Sequence, residues 1–274
     1  MKTAVIQMHV GADKRENMAR ATALVAQAAS RGAEVVVLPE MFNTPYQTKK
    51  FPLYAEKAGG KCWSILSGAA RKNRVYLIGG SIPECEERGR VYNTSFVFDR
   101  NGAQIAFHRK AHLFDIDVPG GQRFKESETL TAGEAVTTFE TEFGTMGLLI
   151  CYDFRFPEMS RIMANRGAKV IFVPAAFNMT TGPAHWELLF RSRAVDNQVY
   201  TVGVAPARDP SASYQSWGHS IVCSPWGDVI MQADETESVA ITALDLDRLC
   251  EVRSQLPLLK QRRTDVYRLE QVHL

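Results

Sequence analysis

The sequence predicts an α/β fold built as one domain over residues 1–274. Many short runs of β-branched and apolar residues predict the strands of one large sheet or of two. Helical patterns lie between some of these runs, and no Pro-, Gly- or Ser-rich linker divides the chain. Because 45% of the 274 residues are apolar and 23% are charged, the composition is that of a folded globular protein.

The predicted elements alternate along the chain. Helices are expected at residues 14–30, where an apolar stripe recurs at helical spacing, at 157–165, which begins with a proline and stops before Gly167, and at 184–197. An apolar stretch from 105 runs into charged residues and predicts a further strand. The other predicted strands are residues 4–6, 35–38, 75–78, 95–98, 146–150, 170–173, 200–204, 221–223, 229–231 and 239–243.

Charge and cysteine content argue against several classes of protein. Lys and Arg number 32 against 30 Asp and Glu, so a formal net charge of +2 offers no broad basic face for nucleic acid or an anionic membrane. The five cysteines include no CxxC pair, which argues against a disulfide framework and a zinc ribbon. No secretory signal or membrane-spanning window is visible. We therefore expect a cytoplasmic protein without nucleic-acid or membrane partners.

One segment of the chain is echoed later. RGAEVVVLP at 31–39 aligns with RGAKVIFVP at 166–174, so that a helix end, a glycine, an apolar strand and a proline recur in register. Two interpretations remain open: two ordinary helix-to-strand connections, or a two-layer fold with approximate internal symmetry. Only the first copy continues into an ionisable residue, Glu40, where the second has Ala175.

Three apolar strands run directly into residues that carry chemistry: Glu40, Lys110 and Cys151. Strand ends are where α/β proteins place reactive groups. A thiol, a carboxylate and an ammonium together suffice for nucleophilic acyl transfer, as nucleophile, proton carrier and oxyanion partner. Taken singly, the same residues are equally typical of a surface carboxylate, a solvated cation and a buried small apolar residue.

The segments around these residues resemble the three motifs of the nitrilase superfamily, the carbon-nitrogen hydrolases, in family order. They are LPEMF at 38–42, HRKAHL at 108–113 and ICYDFRFPE at 150–158, and the similarity extends from residues 4–8 to 217–220 and 224–227. The resemblance implies a four-layer α-β-β-α sandwich with two sheets packed face to face, association into a homodimer, and catalysis without a cofactor.

Two further segments, 113–120 and 176–189, are similar to the omega-amidase branch. That branch hydrolyses the terminal amide of small dicarboxylate monoamides such as 2-oxoglutaramate and 2-oxosuccinamate, so a small amide and water are the expected partners. The alternatives are an amidase acting on deaminated glutathione, another aliphatic amidase or nitrilase, and a non-catalytic binding protein on the same fold. The last alternative predicts the loss of a catalytic position, and all three are present.

Carried over residue by residue, the resemblance implies a role for each motif residue. Glu40 is expected to be the general base, Lys110 the oxyanion stabiliser and Cys151 the nucleophile, with the backbone N–H of Tyr152 as a second oxyanion donor. A free thiol titrates near ~8.5, so a neighbouring base or cation is needed to activate it at neutral pH. One carboxylate can act as base and acid in turn.

Two more charged residues are expected at the site. Glu126 matches a second family carboxylate that fixes the lysine, with Glu128 as a rival and a solvated loop acid as the alternative interpretation. Arg155 lies four residues after the nucleophile, where a guanidinium suits the far carboxylate of the substrate. The alternative for Arg155 is a structural ion pair with Asp153.

A metal site is not predicted. His108 and His112 have the i, i+4 spacing of a helical metal pair, but no HExxH motif surrounds them and they follow a strand. The other cysteines, Cys62, Cys85, Cys223 and Cys250, have no motif around them and are expected to be structural.

Overall fold

The structure is a computed structural model that describes residues 1–117 and 123–272. Residues 118–120, the end of the omega-amidase-like segment 113–120, lie outside the described residues. The strands are β1 (Lys2–Gln7), β2 (Val35–Val37), β3 (Tyr76–Ile78), β4 (Ile82–Cys85), β5 (Val91–Phe98), β6 (Gln104–Arg109), β7 (Asp115–Asp117), β8 (Arg123–Lys125), β9 (Thr137–Thr141), β10 (Gly144–Leu148), β11 (Val170–Pro174), β12 (Tyr200–Val204), β13 (Ile221–Cys223), β14 (Val229–Gln232) and β15 (Ser238–Ala243). The helices are α1 (Lys14–Ser30), α2 (Phe51–Tyr54), α3 (Lys61–Asn73), α4 (Pro157–Asn165), α5 (Gly182–Asn197) and α6 (Arg248–Gln255).

The described strands form two large sheets and a small ribbon. The first sheet has the order β15-β1-β2-β3-β5-β4, with β6 also paired to β5, and the second has the order β14-β13-β12-β11-β10-β9. Each sheet is parallel at its centre, through β1, β2 and β3 in the first and β10, β11 and β12 in the second. Among the described strands, β7 and β8 pair only with each other.

Side-chain alternation along the central strands produces four layers. In β2, Val36 packs with α1 and α3, whereas Val35 and Val37 enter a core shared by the two sheets. In β11, Ile171 packs with α4 and α5, and Phe172 enters the shared core. Strands buried on both faces read as continuous apolar runs, which is how they appear in the sequence. The predicted four-layer α-β-β-α sandwich is confirmed.

The echoed segment occupies equivalent places in the two sheets. Gly32 and Gly167 both end a helix in the left-handed region, with φ of 86° and 94°. The next residue, Ala33 or Ala168, donates its N–H to the carbonyl five residues earlier, over 3.1 and 3.0 Å. Both segments then form the middle strand of a parallel triplet. These matches favour approximate internal symmetry over two unrelated connections.

The fold carries the three motif residues to one edge of the sandwich. Glu40 follows β2 and Lys110 follows β6, both in the first sheet, while Cys151 follows β10 in the second. Among residues 1–117 and 123–272, no helix has the length and apolarity to cross a lipid bilayer.

Candidate active site

Lys110 lies between two carboxylates in the interior. Its Nζ is 2.9 Å from Glu40 Oε1 and 2.9 Å from Glu126, and all three side chains are 0% exposed. The interpretations of Glu40 as a surface acid, Lys110 as a solvated cation and Glu126 as a solvated loop acid are therefore wrong. Buried ions of this kind persist only when they are paired and hydrogen-bonded.

Glu126 is fixed from three sides. Besides Lys110, it accepts a 2.8 Å hydrogen bond from the backbone N–H of Phe114 and another of 2.8 Å from the hydroxyl of Tyr46. Glu128, its rival in the sequence, is exposed and lies on the outside of the same 3-10 turn. The structure thus brings Glu126, and not Glu128, to the lysine. Sequence reasoning missed Tyr46, whose contact spans 80 positions.

Glu40 has a further partner that the sequence did not reveal. Asn93 Nδ2 donates to Glu40 Oε1 over 2.8 Å, and Asn93 is also 0% exposed. The second oxygen, Glu40 Oε2, is buried and has no hydrogen-bond partner in the part of the chain that the structure describes.

Cys151 begins a 3-10 turn after β10 with a φ of 47°, in the left-handed region that favours glycine. A non-glycine residue held there is strained, and such strain is common at functional sites. Burial, followed by the charge of Glu40, raises the pKa of the Cys151 thiol well above its usual value, although the charge of Lys110 opposes this. The resting sulfur is therefore protonated at neutral pH, and a base must take its proton.

The ammonium of Lys110 stays charged throughout the neutral range. Burial alone would lower its pKa, but the nearby carboxylates of Glu126 and Glu40 outweigh burial and raise the pKa above its usual value. Burial raises the pKa of the Glu126 carboxyl; the charge of Lys110 opposes this effect and that of Glu40 adds to it.

Asp153 joins the lysine motif to the cysteine motif. Its buried carboxylate accepts from the backbone N–H groups of Ile150, Ala111 and His112, over 3.2, 3.1 and 2.8 Å, and from the rings of His108 and His112, each over 2.9 Å. Burial raises the pKa of the Asp153 carboxyl, but these hydrogen bonds outweigh burial and hold the pKa below its usual range. The alternative of an ion pair between Asp153 and Arg155 is wrong.

Arg155 instead lies against the rings of Phe177 and His185. Its guanidinium carbon is 4.6 Å from the centre of the Phe177 ring, and Nη1 is 3.1 Å from Nδ1 of His185. Within residues 1–117 and 123–272 it forms no ion pair with a carboxylate. Tyr152 is half-buried, with its ring 5.1 Å from the Phe114 ring.

A cavity of about 410 Å³ reaches the cluster. Glu40, Tyr46, Ala176 and Tyr214 are among the residues that line its wall. Burial raises the pKa of the Cys151 thiol, and the nearby backbone of Ala176 opposes this effect. The carboxylate and the surroundings of the thiol are thus accessible from one space, of the size that small-molecule sites have. No group of three or more His, Cys, Asp or Glu able to hold a metal ion occurs in the described parts of the chain.

Comparison with known proteins gives one consistent result. Residues 2–254 match the family model described as carbon-nitrogen hydrolase. Omega-amidase NIT2 of Danio rerio is 54% identical over 271 residues, covering 99% of this chain and 98% of the relative, and Omega-amidase NIT2 of Homo sapiens is 50% identical over 269 residues, covering 98% and 97%. The crystal structure of Saccharomyces cerevisiae Nit3, a member of branch 10 of the nitrilase superfamily, matches with a TM-score of 0.89 and 41% identity over 96% of each chain.

Proposed function

The chain belongs to the carbon-nitrogen hydrolase family, and on that premise we propose that it is an omega-amidase. It hydrolyses a carbon–nitrogen bond, and the proposed substrates are small dicarboxylate monoamides such as 2-oxoglutaramate and 2-oxosuccinamate. The observation that carries the proposal is the buried Lys110 between Glu40 and Glu126 next to the Cys151 thiol, in a chain 54% identical to an omega-amidase.

In the first half-reaction Glu40 takes the Sγ proton of Cys151 as the sulfur bonds to the amide carbon. The carbonyl electron pair moves onto oxygen, and the oxyanion is stabilised by Lys110 and by the backbone N–H of Tyr152. Lys110 has three N–H donors; with one directed to Glu40 and one to Glu126, the third is left for the oxyanion. Protonated Glu40 then gives its proton to nitrogen, the C–N bond breaks, and ammonia leaves.

In the second half-reaction a water attacks the thioester on Cys151. Glu40, again a carboxylate, takes one proton of the water, and the new tetrahedral oxyanion has the same two donors. When the oxyanion collapses, the C–S bond breaks and the sulfur recovers its proton from Glu40. The acid product and the free enzyme result.

The raised pKa of the Cys151 thiol supports general-base activation over a preformed thiolate. Glu126 is proposed to hold Lys110, and its contacts to Tyr46 and Phe114 support that task.

Arg155 is proposed to bind the far carboxylate of the substrate. A half-buried guanidinium close enough to affect Cys151 electrostatically, with no carboxylate partner in the described chain, supports this role. We also propose that the protein is a single-domain homodimer, as the family resemblance implies, and that it is cytoplasmic, as its cysteine pattern indicates. Light scattering at micromolar concentration would give twice the chain mass of 30.6 kDa.

Ammonia release from matched substrates tests the proposed function. We expect 2-oxoglutaramate to be turned over with a higher kcat/KM than deaminated glutathione, glutamine or a simple nitrile. Cys151→Ala abolishes turnover, and Cys223→Ala, at another buried cysteine at the end of β13, retains it. A higher kcat/KM for deaminated glutathione would refute the proposed substrate. Ammonia release by Cys151→Ala would refute the assignment of Cys151 as the nucleophile.

A further inference from the structure

The two oxygens of the Glu40 carboxylate have different surroundings. Oε1 accepts from Lys110 Nζ over 2.9 Å and from Asn93 Nδ2 over 2.8 Å. Oε2 is buried and without a hydrogen-bond partner in the described residues. A buried carboxylate oxygen without a donor is unfavourable, so its presence calls for an explanation in the chemistry of the site.

The backbone of Asn93 is fixed in the first sheet, and its Oδ1 has no hydrogen-bond partner among the described residues. It lies within β5, opposite Pro83 of β4, and its carbonyl accepts the backbone N–H of Lys110 over 2.9 Å. One residue therefore contacts the side chain of Glu40 and the backbone of Lys110. Reversing the amide would place its oxygen against the carboxylate, two acceptors without a proton between them, so the orientation is fixed by the site itself.

We propose that Asn93 is a positioning residue that, with Lys110, fixes Glu40 through Oε1 and leaves Oε2 as the oxygen that exchanges protons with Cys151 and water. The inference rests on the proposed role of Glu40 as general base. Asn93 does not touch the substrate. It acts by orienting the carboxylate and by stabilising its charged form through a donated hydrogen bond.

Asn93→Ala and Asn93→Asp separate this role from simple packing. Ala removes the donor; Asp keeps the shape but replaces the donor with a second negative charge beside Glu40. We expect kcat to fall by roughly 10- to 100-fold in the Ala variant and further in the Asp variant, with KM changed by less than about threefold. The acidic limb of the kcat/KM profile moves to higher pH in Ala and still higher in Asp, because the carboxylate form is progressively disfavoured.

Asn197→Ala is the matched control. Asn197 is also buried, its Nδ2 donates to one oxygen, the carbonyl of Arg193, over 2.9 Å, and its Oδ1 is also unpaired among the described residues. Removing that amide should leave the acidic limb where it is. A packing role for Asn93 predicts the opposite order, with isosteric Asp milder than Ala and no movement of the limb, and that result would overturn the proposal. If the Asn93→Ala variant does not fold, the position of the acidic limb in the kcat/KM profile of Asn93→Asp distinguishes the two roles.

Glu40→Gln distinguishes failure of this inference from failure of the proposed function. If Glu40→Gln retains turnover, the general base is misassigned and the inference falls with it. If Glu40→Gln is inactive while Asn93→Asp keeps the wild-type pH profile, only the positioning role of Asn93 is refuted.

Discussion

Replacing Arg155 with Ala should reduce activity on charged substrates selectively. The guanidinium is half-buried, 4.6 Å from the centre of the Phe177 ring and 3.1 Å from Nδ1 of His185. Burial lowers the pKa of the Arg155 guanidinium, yet an arginine remains charged in the neutral range. The residue thus presents a desolvated positive charge with no protein carboxylate bound to it in the described chain.

The magnitude follows from the contact that the substrate would make. A charge-assisted hydrogen bond contributes about 1.5–3 kcal/mol, which corresponds to a loss of about 10- to 150-fold in kcat/KM for 2-oxoglutaramate in Arg155→Ala. Arg155→Lys should lie between, because an ammonium keeps the charge and loses the two-pronged geometry. An uncharged amide of similar size should lose less than about threefold.

Steady-state ammonia release on the charged and uncharged amides measures this difference. Arg161→Ala, an arginine of α4 whose Nη2 bonds to the carbonyl of Asp196, is the control and should preserve the ratio of the two activities. Equal losses on both substrates in Arg155→Ala would show that Arg155 supports the fold or the catalytic cluster, and the reasoning about carboxylate recognition would be refuted.

Three other changes have definite expected outcomes. Lys110→Met leaves two buried carboxylates without a cation, which should lower the free energy of unfolding by about 3–5 kcal/mol and the thermal midpoint by about 6–20 °C. An unchanged midpoint would contradict the buried ion pairs. Asp153→Asn should flatten the pH dependence of the free energy of urea unfolding below pH ~4. Because the pKa of Asp153 is lower in the folded state than its unfolded value of ~3.9, the ionised carboxylate stabilises the fold above that pH, and this stabilisation is lost as the pH falls. Parallel curves for the variant and the wild type would contradict this expectation. Tyr46→Phe removes one donor to Glu126 and should lower kcat about 10-fold in steady-state assays, while wild-type kcat would show that this hydrogen bond is dispensable.

Two helices could be predicted to the residue because local chemistry marks their ends. Asp13 caps α1 by accepting from two backbone N–H groups of its first turn, and Pro157 is the first residue of α4. Helix α3 was not predicted, since it begins after Gly60 without a side-chain cap and ends at Arg74 in the left-handed region in place of a glycine. Its bounds depend on packing against α1, which the local sequence does not display.

Three of the unpredicted strands have a related explanation; the fourth, β4, is a four-residue strand that contains a proline and a glutamate. Strands β7 and β8 consist largely of charged residues, and β9 is a half-exposed strand of threonines with Phe139 buried. None of these three has the apolar run that marks a strand buried on both faces. Their conformation is defined by the partner strand, and that pairing is not visible in the sequence.

The candidate site divides in the same way. Glu40, Lys110 and Cys151 each follow an apolar strand within a recognisable motif, so their sequence context identifies them. Asn93 and Tyr46 reach Glu40 and Glu126 across 53 and 80 positions, through strand register and loop packing. No local pattern distinguishes an asparagine that contacts a buried carboxylate from one that does not.

The shared core between the sheets has a consequence for catalysis. Glu40 and Cys151, the proposed base and nucleophile, follow strands of different sheets, and the described strands of one sheet are not paired with those of the other. The distance between them therefore depends on the packing of the shared core, which includes Val37 and Phe172. It also depends on Asp153, which follows Cys151 and accepts a hydrogen bond from the backbone N–H of Ala111 beside Lys110. A substitution that changes the volume of this interior therefore alters the distance between the Glu40 carboxylate and the Cys151 sulfur. A displacement of about 1 Å can lower turnover about 100-fold, although none of the residues at the site has been changed.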